Sequence, residues 1–253
     1  MRISVRLLIT LILFTVNMPV TVCPAEPLLY PTPDPQGRER ALRFQKTAST
    51  VLAPVYAPLS EWIVDRLDLE EKKGIGIDLG SGPGNLIVEL CRRTTSLHWV
   101  NADINPYFFP LFFEAVEKEE LGHRVSAIFA DAKALPFKDN YADIVVSRGS
   151  FPFWSDKRTA FGEIYRVLKP GGIAFIGRGF PENLPVETAR TIRNKQGRKK
   201  KSVLNYKANE AANELEEIME ELGIKNARVL VPKPPGSEGI NYGLWVEFHK
   251  PGN

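Results

Sequence analysis

The sequence predicts an α/β fold, an open and mostly parallel sheet with helices on both faces. Three observations lead there. Short apolar runs alternate with helical patterns from about residue 74 onward. The stretch from Gly74 to Leu86 reads as a buried strand that runs into a glycine-rich turn and then starts a helix. A chain of 253 residues, 43% hydrophobic and 25% charged, can build one large domain with a sizeable core.

The N-terminal residues are unlike the rest. Arg2 and Arg6 precede an apolar run over 7–22, broken by Asn17 and Pro19, and Cys23-Pro24-Ala25 offers small residues for cleavage. Residues 1–25 therefore read as a signal peptide or membrane anchor, with the domain exported or membrane-anchored. Two alternatives stay open: translation from Met18, which leaves the protein cytoplasmic, or an apolar helix packed on the domain. Residues 26–48 read as a linker and helical lead-in, proline-rich over 30–36, and the domain itself covers 49–250. From Val51 to Leu69, Leu52, Val55, Leu59, Trp62, Ile63 and Leu67 recur at helical spacing, so one face is buried.

The later elements follow in alternation. Strands are expected at about 97–104, 125–130, 142–147 and 173–177, then two closing strands at about 227–231 and 242–249. Helices are expected at about 85–93, from Pro106, at 156–168 and at 207–222. Lys169-Pro170-Gly171-Gly172 reads as a helix stop, because Pro interrupts the helix and Gly permits the reversal. A long polar interval precedes the last helix.

Composition excludes some classes. A net charge of +3 is too small to imply a nucleic-acid partner. Cys23 and Cys91 make no disulfide or zinc framework, and Cys91 sits in an apolar helical stretch as a small hydrophobe. The three histidines are scattered, so no metal site is expected.

The turn Gly80-Ser81-Gly82-Pro83-Gly84 carries the first chemical signal. The dinucleotide fingerprint G-x-G-x-x-G needs glycine where Asn85 stands, and Pro83 removes an N–H from any pyrophosphate cradle. Asp78 places a carboxylate at the mouth of the turn, which suits an ammonium-bearing ligand better than a diphosphate. The plain alternative is a turn that merely joins strand to helix. In open α/β sheets ligands bind beyond the carboxyl ends of the strands, so the residues just after each strand matter most. Asp103 follows the second strand and can accept both hydroxyls of a ribose, or else cap the next helix. Asp131 follows the third and can accept from an adenine amino group beside the N–H groups near Ala132, or else form an Asx-turn.

Asp78-x-Gly80-x-Gly82-x-Gly84, the run Asp131 to Phe137, the run Asp139 to Ser147 and the run Glu163 to Gly172 together resemble the class I S-adenosylmethionine-dependent methyltransferases. Within them the chain resembles the "type 11" methyltransferase domain, which includes quinone-ring C-methylating enzymes; the likeness is dense from about Gly74 to Phe175. The resemblance implies a Rossmann-like, doubly wound sheet of seven strands, mostly parallel with an antiparallel last strand. It implies S-adenosyl-L-methionine as cofactor. Gly80, Ser81, Gly82 and Gly84 would approach it, with Asp78 near its amino group and Ser147 beside its methionine end. Asp103 would take the ribose, Asp131 with Ala132 the adenine, and Ile104 would also touch the cofactor.

The acceptor side departs from many relatives, which carry histidine after the fourth strand. Here the segment is Ser147-Arg148-Gly149-Ser150-Phe151-Pro152-Phe153-Trp154, and no general base stands out. Arg148, Phe151, Phe153 and Trp154 can line a pocket for a planar, anionic or carbonyl-bearing small molecule, with Arg178 a further candidate; core packing is the alternative for the aromatics. Residues 190–201 are basic and lack acids, which reads as a solvated surface or as a lid. Membrane contact would run through 190–201 or through 7–22. The expected reaction is methyl transfer to a small-molecule acceptor. The competing readings are an RNA or protein methyltransferase using the basic segment, and an exported, non-catalytic binding module.

Overall fold

A computed structural model describes residues 34–197 and 208–252. Its sheet contains β1 (Lys73–Leu79), β2 (Ser96–Asp103), β3 (Val125–Phe129), β4 (Ala142–Arg148), β5 (Leu168–Gly179), β6 (Arg228–Leu230) and β7 (Gly243–His249). They pair in the order β3-β2-β1-β4-β5-β7-β6. The pairs among β1 to β5 are parallel, and β7 runs antiparallel to both β5 and β6. Strand order therefore reverses between β1 and β4, the place where an open α/β sheet leaves a crevice. Seven strands with the last one antiparallel is the expected architecture.

The helices are α1 (Pro35–Thr50), α2 (Ala53–Leu67), α3 (Asn85–Arg93), α4 (Phe108–Lys118), α5 (Lys157–Val167), α6 (Val186–Gly197) and α7 (Ala208–Glu221). The twofold alternation of strand side chains divides the core in two. Ile144, Val146, Phe175 and Trp245 join α2 and α3 on one face. Val145, Ala174, Ile176, Leu244 and Val246 join α5 and α7 on the other. Burial on both faces explains why β4 reads as a continuous apolar run rather than an alternating one. On α2 the helical spacing buries Val55, Leu59, Ile63 and Leu67 as expected. Cys91 is buried in α3. Among the described residues no helix is long and apolar enough to cross a membrane.

Three boundaries and one added helix depart most from the sequence reading. β5 is longer at both ends than 173–177, because Lys169-Pro170-Gly171-Gly172 forms a bulge inside the strand rather than a loop. Gly171 takes φ +79°, and the strand recovers through hydrogen bonds from Gly171 to Lys250 and from Lys250 to Gly172. Pro35 and Gln36, read as linker, form the first turn of α1, where a proline needs no hydrogen-bond partner. α4 starts at Phe108 instead of Pro106, after a turn in which Asn105 Oδ1 accepts from the Tyr107 N–H. The polar interval before α7 contains α6, whose buried apolar residues are Ala189 and Ile192, too few to register as a helical stripe. The basic run over 190–201 thus begins inside a helix, and its last residues, like the leader over 1–25, lie outside the described residues.

Gly76 on β1 pairs with Trp99 on β2, and the indole lies where a side chain would be. Gly76→Ala would bring a methyl 2.5 Å from that ring. The expected cost is about 1–3 kcal/mol from overpacking, read from urea unfolding at equilibrium. An unchanged midpoint would show that the Trp99 ring moves freely.

Candidate functional site

β1 ends at Leu79 and α3 starts at Asn85, so five residues turn the chain. Gly80, Gly82 and Gly84 take φ of +71°, +59° and +78°, which only glycine adopts without strain. Their reasons differ. A Cβ on Gly80 would collide with the Ser150 side chain. A Cβ on Gly82 would meet the Phe44 ring at 3.2 Å. A Cβ on Gly84 would collide with Phe112 in the core, so this glycine serves helix packing rather than close ligand approach.

β2 grips the turn. Asp103 Oδ2 accepts from the Gly82 N–H at 2.8 Å, and Asn101 Nδ2 donates to the Gly82 carbonyl at 3.1 Å. The other Asp103 oxygen accepts from the Asn105 N–H at 2.8 Å. Each carboxylate oxygen keeps a second lone pair for a ligand. Burial raises the Asp103 carboxyl above its ordinary range, and the backbone N–H groups of Asn105, Gly82 and Ile104 oppose that shift.

A cavity of about 400 Å³ opens beside this turn at the carboxyl ends of the strands. Among the expected cofactor residues, Gly80, Gly82, Asp103, Ile104, Asp131 and Ala132 are in its wall. Arg148, Phe153 and Trp154 from the expected acceptor set are there too. Asp78, Ser81, Gly84, Ser147, Phe151 and Arg178 are not. Phe151 leaves the acceptor wall altogether: it is 1% exposed and packs edge-on against Trp154. Ser147 is buried behind the wall, where its Oγ lies 2.6 Å from Ser150 Oγ, which donates to the Leu79 carbonyl. Asp131 does form the Asx-turn, accepting from the Lys133 N–H at 3.0 Å, while it also faces the cavity.

Sequence reasoning missed Phe44, Phe108, Lys133 and Ser150 as wall residues. Phe44 is an aromatic on the polar helix α1, half-exposed, with its ring 5.9 Å edge-on from Phe108. An aromatic in so polar a helix was the available signal. With Ile104 at 59% and Phe153 at 76% exposure, these rings make the rim of the cavity apolar. Asn101 and Arg193 were also missed; neither has a local pattern that marks it.

Asp78 lies under the turn, fully enclosed. Burial pushes its carboxyl up to about 7; the Ser81 hydroxyl and the Arg148 guanidinium pull it back, and the Asp103 charge adds to the rise. Ser81 Oγ is close to that carboxyl without completing a well-formed hydrogen bond, and Asn85 Oδ1 and Arg148 Nε are likewise buried and unpartnered. Each such atom costs roughly 1–3 kcal/mol until something satisfies it. An open glycine cradle, a carboxylate with free lone pairs and the unpartnered Arg148 Nε in the wall of one cavity fit a nucleoside that carries an amino-acid tail. The titratable groups in the wall are Asp103, Asp131, Lys133 and Arg148.

Comparison with known proteins agrees with that chemistry. Residues 77–176 match the family model described as "Methyltransferase domain". The chain is 39% identical over 107 residues to a demethylmenaquinone methyltransferase of Thermus thermophilus, covering 42% of this chain and 47% of that one. It is 30% identical over 154 residues to a chloroplastic 2-methyl-6-phytyl-1,4-hydroquinone methyltransferase of Spinacia oleracea, covering 58% and 43%. The chain thus spans less than half the length of these two relatives. Among solved structures it is similar to a candidate S-adenosyl-L-methionine-dependent methyltransferase from Methanococcus maripaludis. That match has a TM-score of 0.75 at 28% identity, over 85% of this chain and 94% of the other.

The state of Asp78 has a measurable consequence. Its carboxyl is raised from an unfolded value of 3.8 to about 7, so the folded chain holds that proton more tightly. The contribution to stability is complete below pH 4 or so and is lost as pH rises through 7. Asp78→Asn abolishes the titration. Free of ligand, it is expected to exceed the unsubstituted protein in stability by about 2–4 kcal/mol at pH 8.5 and to lose that advantage toward pH 5. Denaturant unfolding at both pH values measures it; parallel profiles would place an ionised Asp78 in the fold.

Proposed function

We propose that this chain, which belongs to the class I S-adenosylmethionine-dependent methyltransferases, transfers the methyl group of that cofactor to a small-molecule acceptor built on a ring. The observation that carries the reading is the cavity at the reversal of strand order, with the glycine cradle and Asp103 in one wall and aromatic side chains at its mouth. Gly80 and Gly82 let a ligand reach the backbone. The free lone pairs of Asp103 would hold the ribose hydroxyls, and Asp131 with the Ala132 N–H would take the adenine edge between Ile104, Phe44 and Phe108. Asp78 would answer the ammonium from below, in its ionised form, beside the hydroxyl of Ser81.

When bound, the cofactor supplies an electrophilic methyl on a sulfonium that departs as a neutral thioether. The chain's own work is then positioning and the exclusion of water. Phe153 and Trp154 would cover the acceptor ring, and the Ser147–Ser150 contact holds the β4 end against the β1 end so that both halves of the cavity keep their spacing. The quinone and hydroquinone ring systems named for the two relatives support an aromatic or quinonoid acceptor. The RNA or protein reading draws no support from α6, in which Arg190 pairs with Glu187 and Arg193 turns inward onto Phe180.

Titration calorimetry of S-adenosylmethionine and S-adenosylhomocysteine tests the reading. Micromolar binding is expected, weakened at least about tenfold by Asp103→Ala, which removes ribose acceptors and the Gly82 grip together. Affinity is also expected to rise with pH through about 7, since the ammonium favours ionised Asp78 and binding releases its proton. No binding to the well-folded protein would sink the proposal.

A further inference from the structure

Helix α1 lies upstream of residues 77–176, the stretch that matches the family model, yet it puts Phe44 into the wall of the cavity. The helix is thinly attached. Its buried residues are Gly37, Ala41 and Ala48, which carry almost no side chain. They remove little apolar area from water, and a segment held that lightly opens locally at small cost. The Phe44 ring meets Phe108 edge-on at 5.9 Å and lies where a Cβ on Gly82 would come within 3.2 Å of it. The rest of the ring is exposed at the cavity.

Polar contacts hold the first turn of α1 in place. Asn105 Nδ2 donates to the Gly37 carbonyl at 3.0 Å, and the Asp34 N–H donates to the Tyr107 hydroxyl at 3.0 Å. The approach is close enough that a Cβ on Gly37 would meet the Tyr107 ring at 3.2 Å.

Asn105 joins three parts of the site. Its backbone N–H donates to Asp103 Oδ1 at 2.8 Å, its Oδ1 accepts from the Tyr107 N–H at 3.2 Å, and its Nδ2 reaches α1. The other Asp103 oxygen accepts from the Gly82 N–H, next to the Phe44 ring. A closed circuit of contacts therefore runs from Asp103 through Gly82 to Phe44, along α1 to Gly37, and back through Asn105 to Asp103. In the cofactor reading a ligand enters this circuit twice, with its ribose at Asp103 and its adenine at Phe44. Stacking of a base on an aromatic ring strengthens binding about tenfold or more, and here the ring is in place only while α1 is docked. By linkage, a ligand that binds the docked helix better also favours docking by the same factor.

We infer that Asn105 is a positioning residue: by pinning Gly37 it holds α1 as the roof of the adenine pocket, so that cofactor binding and the docking of α1 form one coupled equilibrium. This rests on the methyltransferase reading above. Asn105 acts through Phe44 and needs no contact of its own with the ligand.

The test combines titration of the full chain with S-adenosylhomocysteine and amide hydrogen exchange. Asn105→Ser is the first variant. A serine hydroxyl still accepts from the Tyr107 N–H and keeps the turn, but it is too short to reach Gly37. Asn105→Ser is expected to weaken S-adenosylhomocysteine about fivefold, and Phe44→Ala about tenfold. In the Phe44→Ala background the same Asn105→Ser change is expected to cost less than about twofold. A turn residue with a merely structural role would give equal losses in both backgrounds. The α1 amides are expected to exchange more slowly when S-adenosylhomocysteine binds the unsubstituted chain, and Asn105→Ser to lose most of that protection. If Asn105→Ser does not fold, Tyr107→Phe, which removes the hydroxyl that accepts from Asp34, takes its place under the same criteria. Equal losses in the two backgrounds, or α1 exchange indifferent to the ligand, overturn the coupling and leave the methyltransferase reading standing. No binding of S-adenosylhomocysteine to the folded, unsubstituted chain sinks that reading and the coupling with it.

Discussion

The peptide of Gly82 is held from both sides by β2, its N–H by Asp103 and its carbonyl by Asn101. Most of the site depends on that grip. It keeps the turn after β1 drawn toward β2, a conformation that needs left-handed backbone at three alternate residues. Both Asp103 and Asn101 are buried, and Asp103 is in the cavity wall. A hydrogen bond to a charged group, made where water is excluded, contributes about 1.5–3 kcal/mol, enough to hold a turn that no side chain of its own supports. One carboxylate therefore shapes the cradle and keeps lone pairs for what the cradle holds. In the proposed reading, structure and ligand recognition share the same two oxygens.

A second constraint joins the two halves of the crevice. The hydroxyls of Ser147 and Ser150 meet, and Ser150 donates to the last carbonyl of β1. Gly80 has no side chain because Ser150 fills that space. The β4 segment is thereby seated against the glycine turn. Asp78 is enclosed, with a carboxyl that burial raises to about 7 and that Arg148 and Asp103 push in opposite directions.

The parts legible in the sequence are those encoded locally. The alternation of apolar runs marks the strands, and the glycine turn, Asp103 and Asp131 mark the strand ends that line the cavity. What was not legible depends on contacts between distant segments. Nothing near Asn101 says that its amide will hold a glycine carbonyl 19 positions earlier. Gly84 looks like its two neighbours, and only the position of Phe112 shows that it serves packing. Phe151 and Phe153 stand two apart in one aromatic run, yet one is core and the other is rim, because the short turn they form points them to opposite sides. Arg193 sat in a run read as solvated because it is basic and lacks acids; the aromatic face of Phe180 and the carbonyl of Asn241 come from elsewhere in the chain.

The most direct measurement is diffraction from crystals grown with S-adenosylhomocysteine. The result expected is a ligand lying across the glycine turn, its ribose hydroxyls about 3 Å from Asp103 and its adenine beside Asp131 and Ala132. A ligand bound elsewhere, or one that reaches the cavity without touching Asp103, would contradict the assignment of this crevice to the cofactor.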